Sequence, residues 1–348
     1  MSFSIETQKG CKTKFWWTHK GLKDRLAWLF PSVPSAGFTV ESRDLPSNAT
    51  FVNFVRHHRL TDIATGERFD IVEKSIRKVA LVASLESRFY LERTALHGSV
   101  HFRHPDCYGV IETPFESIIF TRYLVGKKPR ISLVTPRIAH GIAEIEQLTH
   151  AYLQKRVAAE PFKYWTMDFF QPWYLLRSRF SFGRFFVYLR KLAAKDSQFQ
   201  GLELPLRQLG RRIEVLGKAA KPAPVCFCHM DYLRKNLFLN AEGLQLIDWS
   251  EVKIGRVGFD AGSFLASLFR RSEMGRYEAL RDTFLAAYEQ ALPPEFDRDM
   301  ALQNASYIFL LNALWQCLRP KTIQEFEESN RLPLLKEKLE FLIHHESY

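Results

Sequence analysis

The chain has 348 residues, 46% of them hydrophobic and 25% charged, which is the composition of an ordinary globular protein with enough apolar material for two lobes. The 49 Lys and Arg residues outnumber the 38 Asp and Glu residues, and the net charge of +11 favours an anionic partner such as a nucleotide, a phospholipid surface, an acidic glycan or a nucleic acid. No apolar stretch reaches the length of a membrane span and the first residues lack the apolar core of a signal peptide, so the sequence predicts a cytoplasmic protein.

The five cysteines suit a reducing compartment, because they are odd in number and form no framework of regular spacing. Cys226, Cys228 and the adjacent His229 could suggest a metal site. They alternate along a predicted strand and no fourth ligand pairs with them nearby. This pattern favours buried structural thiols.

Residues 1–35 are expected to form an N-terminal extension. Apolar residues recur at helical spacing until Pro31 ends the run, and basic residues surround three aromatic ones: Leu22, Leu26, Leu29 and Phe30, then Lys12, Lys14, Lys20, Lys23 and Arg25 around Phe15, Trp16 and Trp17. The favoured interpretation is a helix packed on the small lobe with a solvated basic face. The alternative is a helix lying on an anionic membrane surface, at the inner face of a membrane.

Residues 36–125 have the pattern of a small β-rich lobe. Strands are predicted where β-branched and aromatic residues concentrate, at Phe38 to Arg43, Phe51 to Arg59, Arg68 to Arg77 and Ile118 to Tyr123. A helix is predicted from about Leu81 to Leu96. The segment Leu124-Val125-Gly126 is the expected hinge between the two lobes.

From Pro136 onward the sequence is mainly helical. Apolar residues at helical spacing mark one long helix and a last one: Ile138, Ile142, Ile145, Leu148 and Tyr152, then Leu335, Leu339, Leu342 and Ile343. Twelve aromatic residues lie between Phe162 and Tyr188. Aromatic residues at helical spacing most often form core, and the alternative is a wall that binds a sugar ring or a lipid.

A set of polar residues between Cys226 and Asp260 has the spacing of a phosphotransfer site. His229, Asp231 and Asn236 form a His-x-Asp-x-x-x-x-Asn run, which Ile247-Asp248-Trp249 follows. Phosphoryl transfer from ATP needs a base at the acceptor hydroxyl and metal ions that neutralise charge. Asp231 is the candidate base, and Asn236 and Asp248 are the candidate Mg²⁺ ligands.

The spacing of these residues is explained by a predicted hairpin. Apolar runs at 237–239 and 244–247 flank the turn Asn240-Ala241-Glu242-Gly243, and folding at this turn sets Asn236 beside Ile247. Asn236 and Asp248 are therefore expected at the same end of the hairpin, with the oxygen ligands that Mg²⁺ prefers. Asp231 lies on the loop that enters the hairpin, and His229 is expected to hold that loop in shape.

This stretch resembles the aminoglycoside phosphotransferase and choline kinase superfamily, whose signature reads HGDLHxxN, then IDW, then a glycine-rich turn that leads to an aspartate. The matching residues are His229, Asp231, Asn236, Asp248, Trp249, Gly255, Gly258 and Asp260, and the chain departs from the signature at Met230, where the family usually has glycine. The resemblance implies that Asp231 is the catalytic base, that Asn236 and Asp248 hold Mg²⁺, and that Asp260 braces the catalytic loop.

The resemblance and the predicted elements together indicate an α+β, bilobal protein kinase-like fold, with a small N-terminal antiparallel β-sheet lobe plus one helix and a larger, mainly helical C-terminal lobe. The expected domains are a basic aromatic extension at 1–35, a nucleotide-binding lobe at 36–125 and a catalytic and substrate lobe at 126–348.

Candidate ATP-binding residues follow from this arrangement. Lys74 shares a strand face with Val72 and Ile76, as in the VxK strand that contacts the α- and β-phosphates, whereas Arg77 and Lys78 are rivals placed at the exposed strand end. Glu86 and Glu92 are candidate partners of Lys74, and the family likeness favours Glu86. Ser47 and Asn48 are expected at the phosphates, and backbone groups of Tyr123 and Leu124 at the adenine.

The expected reaction moves the γ-phosphate of ATP, with Mg²⁺, onto a hydroxyl of a small molecule or glycan, and an acidic or cell-envelope sugar is the suggested acceptor. Only residues 249–259 separate Asp248 from Asp260, too few for the activation segment of a protein kinase. Nucleic acid is not an expected partner, because the positive charge is scattered and no recognition module is present. The alternative is an inactive nucleotide-binding scaffold recruited to a membrane or a partner.

Overall fold

The computed structural model describes residues 11–31, 37–47, 51–63, 65–78, 84–172, 182–346 and 348. The chain divides into two compact units. The sheet unit comprises Met1–His97, Phe102–Lys128 and Phe238–Glu251, and the helical unit comprises Gly98–His101, Pro129–Leu237 and Val252–Tyr348. The hairpin segment after Leu237 thus belongs to the sheet unit, although it follows the catalytic-loop sequence directly.

A six-stranded sheet forms the core of the sheet unit. Its strands are β1 (Lys12–Phe15), β2 (Phe38–Asp44), β3 (Val52–Asp62), β4 (Arg68–Arg77), β5 (Cys107–Glu112) and β6 (Glu116–Arg122), arranged in the order β1-β5-β6-β4-β3-β2. Neighbouring strands are antiparallel except for β1 and β5, which are parallel. The strands predicted in the β2, β3, β4 and β6 regions are confirmed, whereas β1 and β5 were not predicted.

Helix α1 (Leu22–Leu29) packs on this sheet. Leu26 and Leu29 are buried in a cluster with residues of β3, β4 and β6, including Leu60, Ile71 and Phe120. The contact is close, because a Cβ on Gly109 of β5 would lie 2.7 Å from a methyl group of Leu29. The packed helix of the favoured interpretation is therefore what the structure shows for residues 22–29.

A disulfide joins Cys11 to Cys107. No disulfide framework was predicted among the five cysteines, and this expectation is wrong for one pair. The pairing depends on β1 lying beside β5, where Lys12 is level with Gly109. The spacing of 96 residues between the two cysteines carries no local signal of that contact.

Helix α2 (Leu85–Leu91) begins at Ser84, whose side-chain oxygen accepts a hydrogen bond from the Ser87 N–H. A 3₁₀ turn, Arg93–Leu96, follows it. The predicted helix over 81–96 is thus confirmed in its middle and is shorter than expected, while residues 79–83 lie outside the described part of the chain.

The predicted hairpin is present as β8 (Leu237–Asn240) paired with β9 (Gly243–Leu246), after β7 (Val225–Cys228) earlier in the chain. Gly243 has a φ of 117°, a conformation that glycine adopts readily. The Asn240 side chain accepts a hydrogen bond from the Glu242 N–H across the turn. Strand β10 (Lys253–Arg256) pairs antiparallel with β7 in the helical unit.

The helical unit confirms the long and the last predicted helices. Its helices are α3 (Ile131–Val157), α4 (Pro161–Trp165), α5 (Phe182–Lys195), α6 (Glu203–Ala220), α7 (Phe259–Arg271), α8 (Met274–Ala291), α9 (Arg298–Leu318), α10 (Pro320–Glu328) and α11 (Leu332–His344). Helix α3 begins before Pro136, which lies inside it. None of the helices in these described ranges is long and apolar enough to cross a membrane.

The aromatic segment contributes to the core in part. Tyr164, Phe169, Phe185 and Phe186 are buried, whereas Phe162 is exposed. Residues 173–181, which hold Trp173, Tyr174 and Phe180, lie outside the described ranges. The core interpretation is therefore confirmed for the four buried rings and wrong for Phe162 and Trp165, which are exposed.

Candidate active site

A buried aspartate holds the loop that carries the candidate base. Asp260, in the first turn of α7, accepts hydrogen bonds from the backbone N–H groups of His229 and Met230 and from the Tyr232 hydroxyl, each at 2.9 Å. Burial raises the pKa of the Asp260 carboxyl, while His229 and these three hydrogen bonds favour its charged form. The loop from 229 to 232 is thus fixed at three points by one carboxylate.

Two features of the loop itself set the backbone conformation next to Asp231. The buried His229 ring accepts a hydrogen bond at Nδ1 from the Asp231 N–H, at 3.2 Å. Met230 has a φ of 62°, a left-handed conformation that costs a residue with a Cβ about 1–2 kcal/mol. Glycine would adopt this conformation without that cost, which gives the physical reason for glycine in the family signature.

Asn236 and Asp231 are joined by hydrogen bonds. The Asn236 amide nitrogen donates to the Asp231 carbonyl at 2.9 Å and to its Oδ2 at 3.0 Å. With its nitrogen engaged in this way, Asn236 has its amide oxygen left to offer to a cation, and an amide oxygen is a ligand that Mg²⁺ accepts. Lys235 Nζ lies 3.7 Å from Asp231 Oδ2.

Helix α7 packs along the same loop. The Ser263 hydroxyl donates to the Met230 carbonyl at 2.7 Å, and the Ser267 hydroxyl donates to the Tyr232 carbonyl at 3.3 Å. Neither serine was predicted as a site residue, and a serine on a helix gives no local signal of such a role. Tyr232 was not predicted either, because nothing in the local sequence indicates that its hydroxyl donates to Asp260.

Glu146 on α3 is a second buried carboxyl behind this loop. Its side chain accepts hydrogen bonds from the Gly258 N–H at 2.8 Å and from the Tyr288 hydroxyl at 2.6 Å. Burial raises the pKa of Glu146 to about 8, although both hydrogen bonds act in the opposite direction. Glu146 was not predicted as a site residue. Its signal in the sequence is a lone acidic residue on the apolar face that Ile138, Ile142 and Ile145 define.

The sheet unit contains its own charged cluster. Lys74 Nζ on β4 lies 2.7 Å from Glu86 Oε2 of α2 and 2.7 Å from Asp248 Oδ1, just past β9. Burial by itself would lower the pKa of Lys74, but the two carboxylates outweigh it and raise that pKa. Burial raises the pKa of Glu86. The structure thus brings together three of the predicted nucleotide and metal residues.

The rival of Lys74 has a different role. Lys78 was expected at the exposed end of its strand, but its side chain is buried and Nζ lies 2.7 Å from Glu112 Oε2. This expectation is wrong because β5, which brings Glu112 to this position, was not predicted. Arg77 is exposed, as expected.

Asp248 is positioned by packing around its neighbour. The Trp249 ring is fully buried and stacks on Phe89 of α2, with ring centroids 4.0 Å apart. Asp248 has a φ of 66°, which aspartate tolerates better than most residues. Helix α2 therefore supplies both the Glu86 carboxylate and the surface that anchors residue 249.

The remaining predicted nucleotide residues are less defined. The Tyr123 backbone N–H donates to the Asp70 carbonyl at 3.0 Å, so among the backbone groups of Tyr123 the carbonyl is the one left for an adenine edge. Leu124 follows it, partly buried, and Ser47 is exposed after β2. Asn48 lies outside the described residues.

Cys226 and Cys228 are fully buried, with their sulfur atoms 3.6 Å apart. Burial raises the pKa of both thiols, which keeps them protonated. Within the part of the chain that the structure describes, no group of three or more His, Cys, Asp or Glu side chains is arranged to hold a metal ion. The two thiols thus have the buried environment that the sequence predicted.

Comparison with known proteins also points to a phosphotransferase. Residues 136–301 match the sequence model of the phosphotransferase enzyme family. Among solved structures, the choline kinase from Cryptosporidium parvum Iowa II is similar with 13% identity over 92% of this chain and 96% of that chain, at a TM-score of 0.53. An amicoumacin kinase in complex with AMP-PNP and Ca²⁺ is similar with 14% identity over 91% of this chain and 93% of that chain, at a TM-score of 0.55. No curated protein sequence matches the chain.

The fold is protein kinase-like, with an antiparallel-rich N-terminal sheet and a mainly helical C-terminal part, and the predicted fold class is confirmed. The resemblance to the aminoglycoside phosphotransferase and choline kinase superfamily is confirmed by the family match together with these neighbours. The family match supports phosphotransferase chemistry, and the solved structures support the fold.

Proposed function

We propose that this protein transfers the γ-phosphate of ATP to a hydroxyl of a small molecule or glycan. The observation that carries the proposal is the Asp231–Asn236 pair, held on a loop that Asp260 fixes through three hydrogen bonds. A carboxylate restrained in this way can accept a proton from an acceptor hydroxyl without reorganising.

Each residue has a defined part in the proposed reaction. Asp231 accepts the hydroxyl proton, and His229 keeps its backbone in place through the Nδ1 hydrogen bond. Lys74 binds the α- and β-phosphates, oriented by Glu86. Ser47, Asn48 and the backbone of Tyr123 and Leu124 are proposed to contact the nucleotide.

The metal site is proposed from the chemistry of its donors. The Asn236 amide oxygen and the Asp248 carboxylate are the hard oxygen ligands that suit Mg²⁺, and Asp248 retains 25% exposure beside Lys74. When bound, Mg²⁺ neutralises charge on the phosphate oxygens. Asn236 belongs to the helical unit and Asp248 to the sheet unit, so their joint role stays a prediction.

The test compares Asp231→Asn with a matched control, Asp299→Asn, which changes an exposed aspartate in the first turn of α9. Acceptor-dependent ATP consumption is screened over hydroxylated metabolites, antibiotics and cell-envelope glycans. Asp231→Asn should lower kcat by about 10²–10⁴-fold, the usual contribution of a positioned base, while the nucleotide still binds. Undiminished turnover in this variant, or an equal loss in the control, would contradict the assignment of the base.

An inactive scaffold is not favoured, because the base and both candidate metal ligands are present as side chains of the right type. Its distinguishing result would be nucleotide binding without turnover of any acceptor in the screen, accompanied by no ATP hydrolysis in water.

A peripheral contact with anionic lipid is proposed as a second property. Phe15, Trp17 and Phe115 are 49%, 81% and 75% exposed at one end of the sheet. The Phe15 and Trp17 rings lie edge to face, with centroids 5.1 Å apart. Lys78 lies between Phe15 and Phe115: its backbone N–H donates to the Phe115 carbonyl, and its Nζ lies 5.9 Å from the centre of the Phe15 ring. Exposed lysines in the same segment supply charge complementary to anionic headgroups: Lys14, Lys20 and Lys23.

Sedimentation with vesicles tests this contact. The protein should bind vesicles that contain phosphatidylserine, and a Trp17→Ser, Phe115→Ser double variant should bind less while its melting temperature is unchanged, because both rings are exposed. If the wild type and the double variant sediment equally with the vesicles, this surface does not contact the lipid.

A further inference from the structure

Two arginines lie near the candidate base Asp231, and neither forms a salt bridge with a described carboxylate. Arg271 is the last residue of α7, and Arg234 follows the catalytic loop directly. In the described ranges, neither guanidinium forms an ion pair, and Arg234 Nε donates a hydrogen bond to the Pro129 carbonyl at 3.1 Å. Both side chains are exposed.

The geometry of α7 brings Arg271 to this position. Ser263, Ser267 and Arg271 are spaced by four residues, so they lie on one face of the helix. The Ser263 hydroxyl donates to the Met230 carbonyl, and the Ser267 hydroxyl donates to the Tyr232 carbonyl. This face of the helix therefore runs alongside the loop, from Met230 towards Arg234. The next residue of the series, Arg271, therefore comes level with the loop near Arg234.

The electrostatics agree with this placement. Partial burial lowers the pKa of Arg271, and Arg270 and Arg234 lower it further, while the Asp231 carboxylate acts in the opposite direction. Lys235 adds a third positive charge within 3.7 Å of Asp231. Arg271 and Lys235 thus interact with the candidate base, and Arg234 interacts with Arg271, all within the helical unit.

Neighbouring cations have other tasks, which distinguishes Arg271 from them. Arg270 lies 3.9 Å from the Glu325 carboxylate of α10. The buried Lys338 of α11 donates to the carbonyls of Phe269, Arg270 and Ser272 and so completes the end of α7. Neither task involves the Arg271 guanidinium.

Arg271, Arg234 and Lys235 outnumber the one carboxylate near them, Asp231, so positive charge is in excess here. Like charges repel one another, and an anion bound between the arginines relieves that repulsion. A guanidinium also has the planar pair of donors that carboxylate and phosphate groups accept. A cationic acceptor such as an amino sugar would instead be repelled by this group of side chains.

We propose that Arg271 and Arg234 bind a carboxylate or phosphate group on the acceptor, and so select an anionic hydroxyl compound over a neutral or cationic one. This inference rests on the proposed phosphotransfer function, because it places the acceptor at Asp231. It names the chemical class of the acceptor, which the proposed reaction by itself leaves open.

The test uses probes that share one sugar ring: glucose, glucosamine, glucuronate and glucose 6-phosphate. Binding is measured by calorimetry on the full chain in the presence of AMP-PNP and Mg²⁺. The wild-type protein should bind at least one of the two anionic sugars about tenfold more tightly than glucose, which corresponds to one charge-assisted hydrogen bond. A preference for glucuronate identifies a carboxylate site, and a preference for glucose 6-phosphate identifies a phosphate site.

Arg271→Gln should abolish that preference. The matched control is Arg298→Gln, which removes the same charge from an exposed arginine at the first residue of α9. An unchanged preference in Arg271→Gln, an equal loss in Arg298→Gln, or no preference for either anionic sugar in the wild-type protein would overturn the inference.

A separate measurement distinguishes this failure from failure of the proposed function. AMP-PNP binding and acceptor-independent ATP hydrolysis are recorded for the same three proteins. If these are normal while the anion preference is absent or unaffected, the acceptor inference alone is wrong. If the wild-type protein neither binds the nucleotide nor hydrolyses ATP, the phosphotransfer proposal itself fails.

Discussion

Replacing Glu146 by glutamine should remove a pH dependence of folding stability that this buried carboxyl introduces. Glu146 accepts hydrogen bonds from the Gly258 N–H and from the Tyr288 hydroxyl. The glutamine oxygen can accept from the Gly258 N–H, and its nitrogen can donate to the Tyr288 oxygen once that hydroxyl rotates, as the neutral acid would also do. The substitution therefore preserves the local geometry and removes only the ability to ionise.

The magnitude follows from the difference between folded and unfolded pKa values. The pKa of Glu146 is about 8 in the fold and 4.5 in the reference state. Between these values the folded chain binds more protons than the unfolded chain, so stability falls as pH rises, by about 1.4 kcal/mol per pH unit. By pH 8 the wild-type protein should have lost about 4 kcal/mol that the glutamine variant retains.

Urea unfolding at pH 5, 6, 7 and 8 measures the effect, with the free energy extrapolated to water at each pH. The two proteins should be similar at pH 5, and the difference in favour of Glu146→Gln should grow with pH. Glu278→Gln, at an exposed position of α8, is the control and should follow the wild-type curve. Parallel curves for wild type and Glu146→Gln would refute the raised pKa and the reasoning from burial.

Three further substitutions test the supports of the site, each by urea unfolding. Gly258→Ala should lower the free energy of unfolding by roughly 2–5 kcal/mol, because φ is 94° and a Cβ would lie 2.1 Å from the Ala301 carbonyl oxygen. The control is Gly275→Ala, which has open space around the new Cβ and should be neutral or slightly stabilising. Ser84→Ala should cost about 1 kcal/mol through loss of the α2 cap, and Ser84→Asp should restore most of it; equal stability of the two variants would contradict the cap. Asp260→Asn leaves one side-chain oxygen for three donors, so the free energy of unfolding should fall by about 1–3 kcal/mol. Turnover should also fall while AMP-PNP still binds. A variant as stable as the wild type would show that the three hydrogen bonds contribute little.

Elements with a strong local pattern were predictable from sequence. Strands β2 to β4, the hairpin β8–β9 and the helix from Leu22 all have the periodicity and turn residues that define them. The residues of the phosphotransfer signature are also close together in sequence, so their spacing could be interpreted without knowledge of distant contacts.

Contacts between distant segments were not predictable in this way. Strand β1 has four residues and owes its conformation to pairing with β5, almost a hundred positions away. The Cys11–Cys107 disulfide and the burial of Lys78 against Glu112 both follow from that pairing. A lysine near a strand end looks exposed when the strand beside it is unknown.

The sequence by itself determined the kinase-like class, the candidate base Asp231 and the candidate metal ligands, because residue type and short-range spacing specify that chemistry. Only the tertiary structure decided that Glu146 is buried behind the loop and that Arg271 lies near Asp231 and Arg234. The physical reason is that burial and electrostatic environment depend on how whole helices pack, and that packing joins residues whose separation in the chain carries no signal.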